Sequence, residues 1–359
     1  MRPSLAPYME WAKTRPRARI DLASSNLLAC TLEDLPGARE ATEIAGESPD
    51  GYRPLVEAIA ARYGVAPERV ATAGGCSGAN FLTLAALVEA GDEVLLERPN
   101  YDPLAGAVRL LGAGVATFER RFDQGYRIDP DRVAGAVTPR TRLIVVSTPH
   151  NPSGVAAGAE ELAGLARVAE RTGVPVLFDE VYLDAIPEDR LPPAATRSPL
   201  FLSTNSLTKS YGLASLRCGW TIGSPEIVRR IRRVRDVVDV WAPIPSDRLS
   251  VVAFQNLDRL AARARRIVAD NRARFHRFLD LSPDIACVAP QGPLAFPRLR
   301  NGKDAGPLVR RLFEEHGVAV APGTFFDSPS HFRVALGGDP ARVEEGLGAI
   351  ARCLAPGGP

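Results

Sequence analysis

Lysine is almost missing from this chain. Among its 359 residues and 44 basic side chains, only Lys13, Lys209 and Lys303 are lysines. The others are arginines, whose guanidinium stays protonated and makes no nucleophile. Each lysine is therefore conspicuous, because an amine can lose its proton and attack a carbonyl carbon. Cysteine is scarce as well: Cys30, Cys76, Cys218, Cys287 and Cys353 are odd in number, widely spaced and without a C-x-x-C pair. That pattern reads as reduced thiols and excludes a disulfide frame or a structural zinc site. The four histidines, His150, His276, His316 and His331, have no H-x-x-x-H spacing, so a metal hydrolase is not expected and no metal site is assigned. Neither sign of charge dominates: 44 basic against 42 acidic residues leave +2, too little to recruit nucleic acid or an anionic membrane. No apolar run reaches the ~18 residues of a membrane span. The N-terminus carries Arg2, Glu10 and Lys13 without the apolar segment of a secretory signal. A cytoplasmic protein with neither a nucleic-acid nor a membrane partner is expected.

What is present is an ordinary globular balance, 45% hydrophobic and 24% charged, in a chain long enough for two or three domains. From about 50 to 225, short apolar runs alternate with helical patterns. The runs 93–96, 143–147, 174–178, 201–204 and 219–223 read as strands; 55–63, 78–89, 103–111, 129–136 and 158–172 read as helices. This alternation predicts an α/β fold, with a mostly parallel central sheet covered by helices. After 225 the character changes. Ile227, Val228, Ile231, Val234, Val237 and Val238 fall at helical spacing, and Trp241-Ala242-Pro243-Ile244-Pro245 breaks the chain. A long arginine-rich helix is expected over about 247–279, then a smaller α+β unit. Residues 1–40 form an arm belonging to that small domain, 41–246 the large domain, and 247–359 the small domain with its connecting helix. The arginine-dense stretches 229–235 and 259–277 read as solvated helix faces, because Asp236, Asp239, Asp258 and Asp270 interrupt them and no aromatic stripe accompanies them.

Lys209 stands in Ser206-Leu207-Thr208-Lys209, just past a strand, with Arg217 eight residues on in Gly212-Leu213-Ala214-Ser215-Leu216-Arg217. Asp179 ends the run Val176-Leu177-Phe178, and Tyr182 follows it. Asn151 lies in His150-Asn151-Pro152-Ser153-Gly154, Tyr101 follows the strand at 93–96, and Gly74-Gly75-Cys76-Ser77-Gly78 opens a helix. All lie at or beyond the C-terminal ends of predicted parallel strands, where open α/β sheets bind ligands. Taken singly, each has a plainer reading: a strand-to-helix turn, a helix cap, a surface arginine, a core tyrosine. The Rossmann spacing G-x-G-x-x-G is absent, so a dinucleotide site is not indicated.

Together and in this order, from about residue 20 to 350, these elements resemble the class I/II pyridoxal-phosphate (PLP) aminotransferases of fold type I. The resemblance implies an enzyme that moves an amino group from an L-amino acid to a 2-oxo acid, with Lys209 holding PLP as a Schiff base and then moving the α-proton. Asp179 resembles the carboxylate that keeps the pyridine nitrogen protonated. Asn151 and Tyr182 resemble the partners of the phenolic oxygen, and Tyr101 the aromatic stacked on the ring. Gly75, Cys76 and Ser77 at a helix start, with Ser206 and Arg217, resemble the phosphate cradle. Arg333 in His331-Phe332-Arg333-Val334 matches the arginine that clamps the substrate carboxylate. The family also implies a homodimer with its active site at the subunit interface.

Some positions depart from the pattern. The tyrosine many relatives carry ahead of Gly46-Glu47-Ser48-Pro49 is absent, and Tyr52 is the nearest substitute. Where a glycine is usual, the N-terminal loop reads Ala23-Ser24-Ser25-Asn26, with Asn26 a candidate substrate contact. Gln291-Gly292-Pro293-Leu294-Ala295-Phe296 lacks the aromatics common there. Trp241 falls where relatives send a loop into the neighbouring subunit, which makes it a candidate specificity residue. No second arginine is placed for a side-chain carboxylate, which favours a general or hydrophobic amino acid. The departures keep a second reading open, a PLP-dependent lyase, decarboxylase or cyclising synthase. A PLP-sensing regulator is disfavoured, because such relatives carry a DNA-binding domain ahead of a fold that here starts within about 20–40 residues.

Overall fold

A computed structural model of the chain describes residues 5–186 and 190–355; Arg2 lies outside them. The N-terminal arm forms helix α1 (Pro7–Thr14) and the short strand β1 (Ile20–Asp21). Helix α2 (Arg53–Tyr63) ends at Gly64, whose left-handed backbone closes its last turn. Strand and helix then alternate through β2 (Val70–Gly74), α3 (Gly75–Leu87), β3 (Glu93–Arg98) and α4 (Asp102–Leu110). They continue through β4 (Gly114–Glu119), α5 (Pro130–Ala136), β5 (Thr141–Ser147), α6 (Ala159–Thr172) and β6 (Val176–Asp179). The series closes with β7 (Phe201–Ser206), β8 (Cys218–Ile222) and α7 (Pro225–Val238). Asp129 ahead of Pro130 and Ser224 ahead of Pro225 cap two of these helices with their side chains. The proline presets φ at a position whose N–H has no helical partner.

The seven strands stand in the order β2-β8-β7-β6-β5-β3-β4, and only β8 runs against its neighbours. Ile144, Val146, Val176, Phe178 and Phe201 face α6 through Leu162, Leu165 and Val168, while Leu143, Val145, Leu177 and Leu202 face α3 and α4 through Leu84, Leu104 and Val108. Burial on both faces explains why these strands read as unbroken apolar runs. Strands β2 and β4 escape that reading. β2 is Val-Ala-Thr-Ala-Gly, poor in β-branched residues, and β4 is an edge strand with mixed burial.

The expected helix over 247–279 is two helices, α8 (Ile244–Gln255) and α9 (Leu257–Asp280). Asn256 breaks them: its backbone leaves helical geometry, and its side-chain amide donates to Val252 O at 2.9 Å. Helix α8 packs with α2 around Leu55, Ile59 and Trp220. The chain continues through β9 (Ile285–Ala286), β10 (Leu294–Ala295), β11 (Arg298–Leu299), α10 (Gly306–His316), β12 (Val318–Ala319), β13 (Ala321–Pro322), β14 (Phe332–Ala335) and α11 (Pro340–Leu354). β1 pairs in parallel with β12, and Ile20 and Leu22 enter the core formed by Phe275, Phe332, Val334 and Ile350. The two ends of the chain are thus one packing unit. No helix among the described residues is long and apolar enough to cross a membrane.

Candidate active site

Parallel strands release their side chains at one end of the sheet, and register decides which ones meet there. Ser147 of β5 stands beside Asp179 of β6, and Asp179 beside Thr204 of β7. Past these ends lies a cavity of about 250 Å³ whose wall includes Ser25, Asn26, Cys76, Ser77, Tyr101, Asn151, Asp179, Tyr182, Thr208, Lys209 and Arg217. Residues spread over nearly two hundred positions converge on one space.

Asp179 is buried, and both its oxygens are occupied. Oδ1 accepts from Cys76 Sγ at 3.3 Å and from the Val181 N–H at 3.2 Å; Oδ2 accepts from Asn80 Nδ2 at 2.8 Å. Asn80 is fixed in turn by Thr204, whose hydroxyl donates to its Oδ1 at 2.6 Å. Burial raises the Asp179 carboxyl above its ordinary range, against the pull of Asn80, Val181, Cys76 and then Lys209. Asn80 was not expected at the site. It lies one turn beyond Cys76 on the same face of α3, and that spacing was its only signal in the sequence.

Lys209 follows β7 and reaches across the cavity. Its Nζ donates to Ser25 Oγ at 2.9 Å and Asn26 Oδ1 at 2.7 Å. Burial first, then the charge of Arg333, brings its pKa down to about 8. Lys13 and Lys303 are exposed. Tyr182 is buried and its phenol is held well above its usual value by burial, with Arg333 and the Ser25 hydroxyl acting the other way.

The helix start is shaped by close approach. Gly75 has φ +79°, and a Cβ there would collide with the Arg217 guanidinium; one on Gly219 of β8 would strike the Gly75 backbone. Arg217 has the left-handed backbone unusual for a non-glycine residue, φ +49°, and donates to Gly74 O at 3.2 Å and Ala214 O at 3.3 Å. The first-turn N–H groups of α3, which have no partner within the helix, and this guanidinium are donors of the kind an anion requires. Ser206 is not on the cavity wall. As the last residue of β7 it is fully buried, with its hydroxyl 2.6 Å from Thr208 Oγ1, and Thr208, just past the strand, takes the wall position.

Asn151 is locked from behind. Its N–H donates to Ser147 Oγ at 3.1 Å, and Ser147 N–H donates to Glu97 Oε1 at 2.7 Å; the Ser147 hydroxyl also pairs with Glu97. Glu97 forms a wholly buried ion pair with Arg120 at 2.8 Å. Unpairing such a charge costs about 3–5 kcal/mol, so this support is stiff. At its other end Asn151 Oδ1 accepts from Arg333 at 2.8 Å.

Arg333 on β14 is fully buried and does not line the cavity as it stands. Its second nitrogen donates to the Tyr8 hydroxyl at 2.5 Å and Ala23 O at 2.9 Å, and its plane lies 4.8 Å from the Tyr8 ring. Arg333 Nε has no protein partner. Tyr8, from α1, is a residue that no motif signalled; Met9 beside it lines the cavity and accepts from the Tyr101 hydroxyl at 3.1 Å. Trp241 is 46% exposed and stands away from the cavity wall of its own chain. Tyr52 is also off the wall, under the Arg248 guanidinium. Among the described residues, the potential metal ligands that gather are Glu315, His316 and Cys353, which do not line this cavity.

The donor set suits an aldehyde cofactor bearing a phosphate and a basic ring nitrogen: an amine, a buried carboxyl, an amide and a phenol, and donors for an anion. Comparison with known proteins agrees. The profile of the family described as aminotransferase class I and II matches residues 25–350. The chain is 32% identical to capreomycidine synthase from Streptomyces vinaceus, over 97% of this chain and 93% of that protein. It is 28% identical to the aspartate/prephenate aminotransferase of Thermus thermophilus, over 85% of this chain and 82% of the other. Its fold is similar to the crystal structure of the PLP-dependent cyclase OrfR, with TM-score 0.88 and 26% identity, covering 99% of this chain and 98% of that one.

Proposed function

The chain belongs to the class I and II aminotransferases, a PLP-dependent family, and on that footing we propose which residues carry amino-group transfer between an L-amino acid and a 2-oxo acid. Bound PLP supplies an aldehyde that condenses with amines and a ring that accepts the electron pair left when an α-proton departs. The N–H groups of Gly75, Cys76 and Ser77 with Arg217 and Thr208 hold its phosphate, and Ser206 supports Thr208. Asp179 holds a proton on the ring nitrogen, Asn151 and Tyr182 bind the phenolic oxygen, and Tyr101 covers the ring. Lys209 would hold the aldehyde carbon, and its amine, when free, would move the substrate α-proton. Arg333 clamps the α-carboxylate, with Asn26 and Trp241 as further substrate contacts. The carrying observation is Lys209 Nζ in the same cavity wall as the buried Asp179.

The domain reading follows: an arm at 1–40 joined to the small domain of 247–359, and a PLP-binding domain at 41–246. A cytoplasmic homodimer is part of the proposal. Val237, Val238, Val240 and Trp241 form an exposed apolar stretch suited to a second copy of the chain, whose site Trp241 would reach.

Spectroscopy with a panel of amino acids tests this reading. A good donor alone should bleach the band of the lysine-bound cofactor, and a 2-oxo acid should restore it. No bleaching by any donor would remove the transaminase assignment. A cyclising synthase is the second reading. The similarity to capreomycidine synthase along nearly the whole chain and to the cyclase OrfR favours it. Turnover without any acceptor, with no amino group transferred, would select it.

A further inference from the structure

A lysine sharing a cavity with a carboxylate ordinarily turns its ammonium toward it. Lys209 does not. Both oxygens of Asp179 are taken by Cys76, Val181 and Asn80, and the partners of Lys209 Nζ are two uncharged oxygens, Ser25 Oγ and Asn26 Oδ1. The number of partners matters. An ammonium has three N–H bonds, whereas a neutral amine has two and a lone pair. Two acceptors satisfy the N–H bonds of the neutral amine and leave its lone pair as the one unused direction. Uncharged acceptors also hold an amine without the strong preference for the ammonium that a carboxylate imposes.

We propose that Ser25 and Asn26 form a cradle that holds the neutral ε-amine of Lys209 by its two N–H bonds and so positions its lone pair to take the substrate α-proton. This rests on Lys209 being the base. In that step the lone pair forms an N–H bond as the Cα–H bond breaks, and the electron pair left behind is drawn toward the cofactor ring. Ser25 and Asn26 are positioning residues: they act through Lys209. The assignment gives Asn26 a role toward the amine beside its proposed contact with the substrate. The charged and titratable groups around Nζ come from four places: Arg333 on β14 and Arg217 before β8 favour the neutral amine, whereas Asp179 on β6 and Cys76 on α3 favour the ammonium.

The scarcity of lysine makes a direct test practical. Labelling the three lysines with ¹³C at Cε in the cofactor-free full chain leaves their amines unmodified, and the Lys209 signal, assigned by its loss in Lys209→Arg, reports its titration. Ser25→Ala with Asn26→Ala removes hydrogen bonds that the ammonium also uses, so the Lys209 titration should fall by about one unit. Asn26→Asp, nearly the same shape, should raise it by a similar amount. In the holoenzyme, the double alanine variant should exchange the substrate α-hydrogen with D2O about 100-fold more slowly. A Lys209 titration unmoved by both changes, or α-exchange within about twofold of wild type, overturns the proposal. If the double variant does not fold, the Asn26→Asp titration decides alone. Both readouts precede the branch between transamination and cyclisation, so the failure of either reading of the reaction leaves this test intact.

Discussion

The cavity has two unlike walls. One is built from the ends of β5, β6 and β7 and the start of α3, and its groups are pinned by sheet register: Ser147, Asp179 and Thr204 stand abreast. The other is built from the first part of the chain, α1 and the loop after β1, with Arg333 of β14 packed behind it; the contact between Tyr8 and Arg333 spans 325 positions. The sheet wall carries a buried carboxyl whose oxygens are all accounted for, backed by the Glu97–Arg120 pair. The chain-end wall offers uncharged oxygens to Lys209 and is backed by a buried arginine whose Nε has no protein partner. The difference separates two tasks. Stiff, compensated charge suits a cofactor that stays, and a wall assembled from distant segments suits a substrate that must enter and leave.

Substitutions can break this contrast, and the heaviest losses belong to the residues facing the cofactor. Lys209→Ala should lower turnover by at least about 10⁴-fold and abolish the band of the lysine-bound cofactor while leaving weak PLP binding; a steady-state assay with absorbance spectra checks both. Asp179→Ala should keep that band but slow α-proton removal on the order of 1000-fold, measured by deuterium exchange. Tyr8→Phe tests the other wall: losing one charge-assisted partner of Arg333 should raise KM for the amino acid about tenfold with little change in PLP affinity. Unchanged KM there would mean that the chain-end wall does not orient the clamp.

The smallest effect is one of pH. Only the neutral amine adds to an aldehyde, and Lys209 lies near 8 where a lysine is ordinarily at 10.5. Capture of PLP by the cofactor-free protein should therefore speed up about tenfold per unit below pH 8 and level off above it. A plateau reached only near 10.5 would show that the walls do not perturb the amine.

The same contrast divides what could be read from the sequence. The places of Asp179, Tyr182, Asn151 and Lys209 on the cavity wall were legible because each ends a strand or follows one within a few residues and belongs to a short pattern, and that of Arg217 because it stands in a short pattern eight residues after Lys209. Parallel strands between covering helices were legible from their unbroken apolar runs. β2 was not, because Val-Ala-Thr-Ala-Gly has little strand character of its own and is held by β8. Tyr8 and Ser25 were illegible for another reason: their roles exist only once β1 pairs with β12, a contact that no local periodicity announces. Ser206 and Thr208 differ by two positions, and only the turn after β7 decides which reaches the cavity. Asn256 likewise divides one helical pattern into two helices through a single side-chain bond.

The placement of Tyr8 and Met9 on α1 bears on how purified material is judged. A protease that nicked the arm between α1 and β1 would cut away one partner of Arg333 yet leave Lys209, Asp179 and the proposed phosphate cradle in place. Such a sample would still be yellow. Colour therefore counts molecules that have captured the vitamin, not molecules competent to turn over, and intact mass is the better gauge of active fraction.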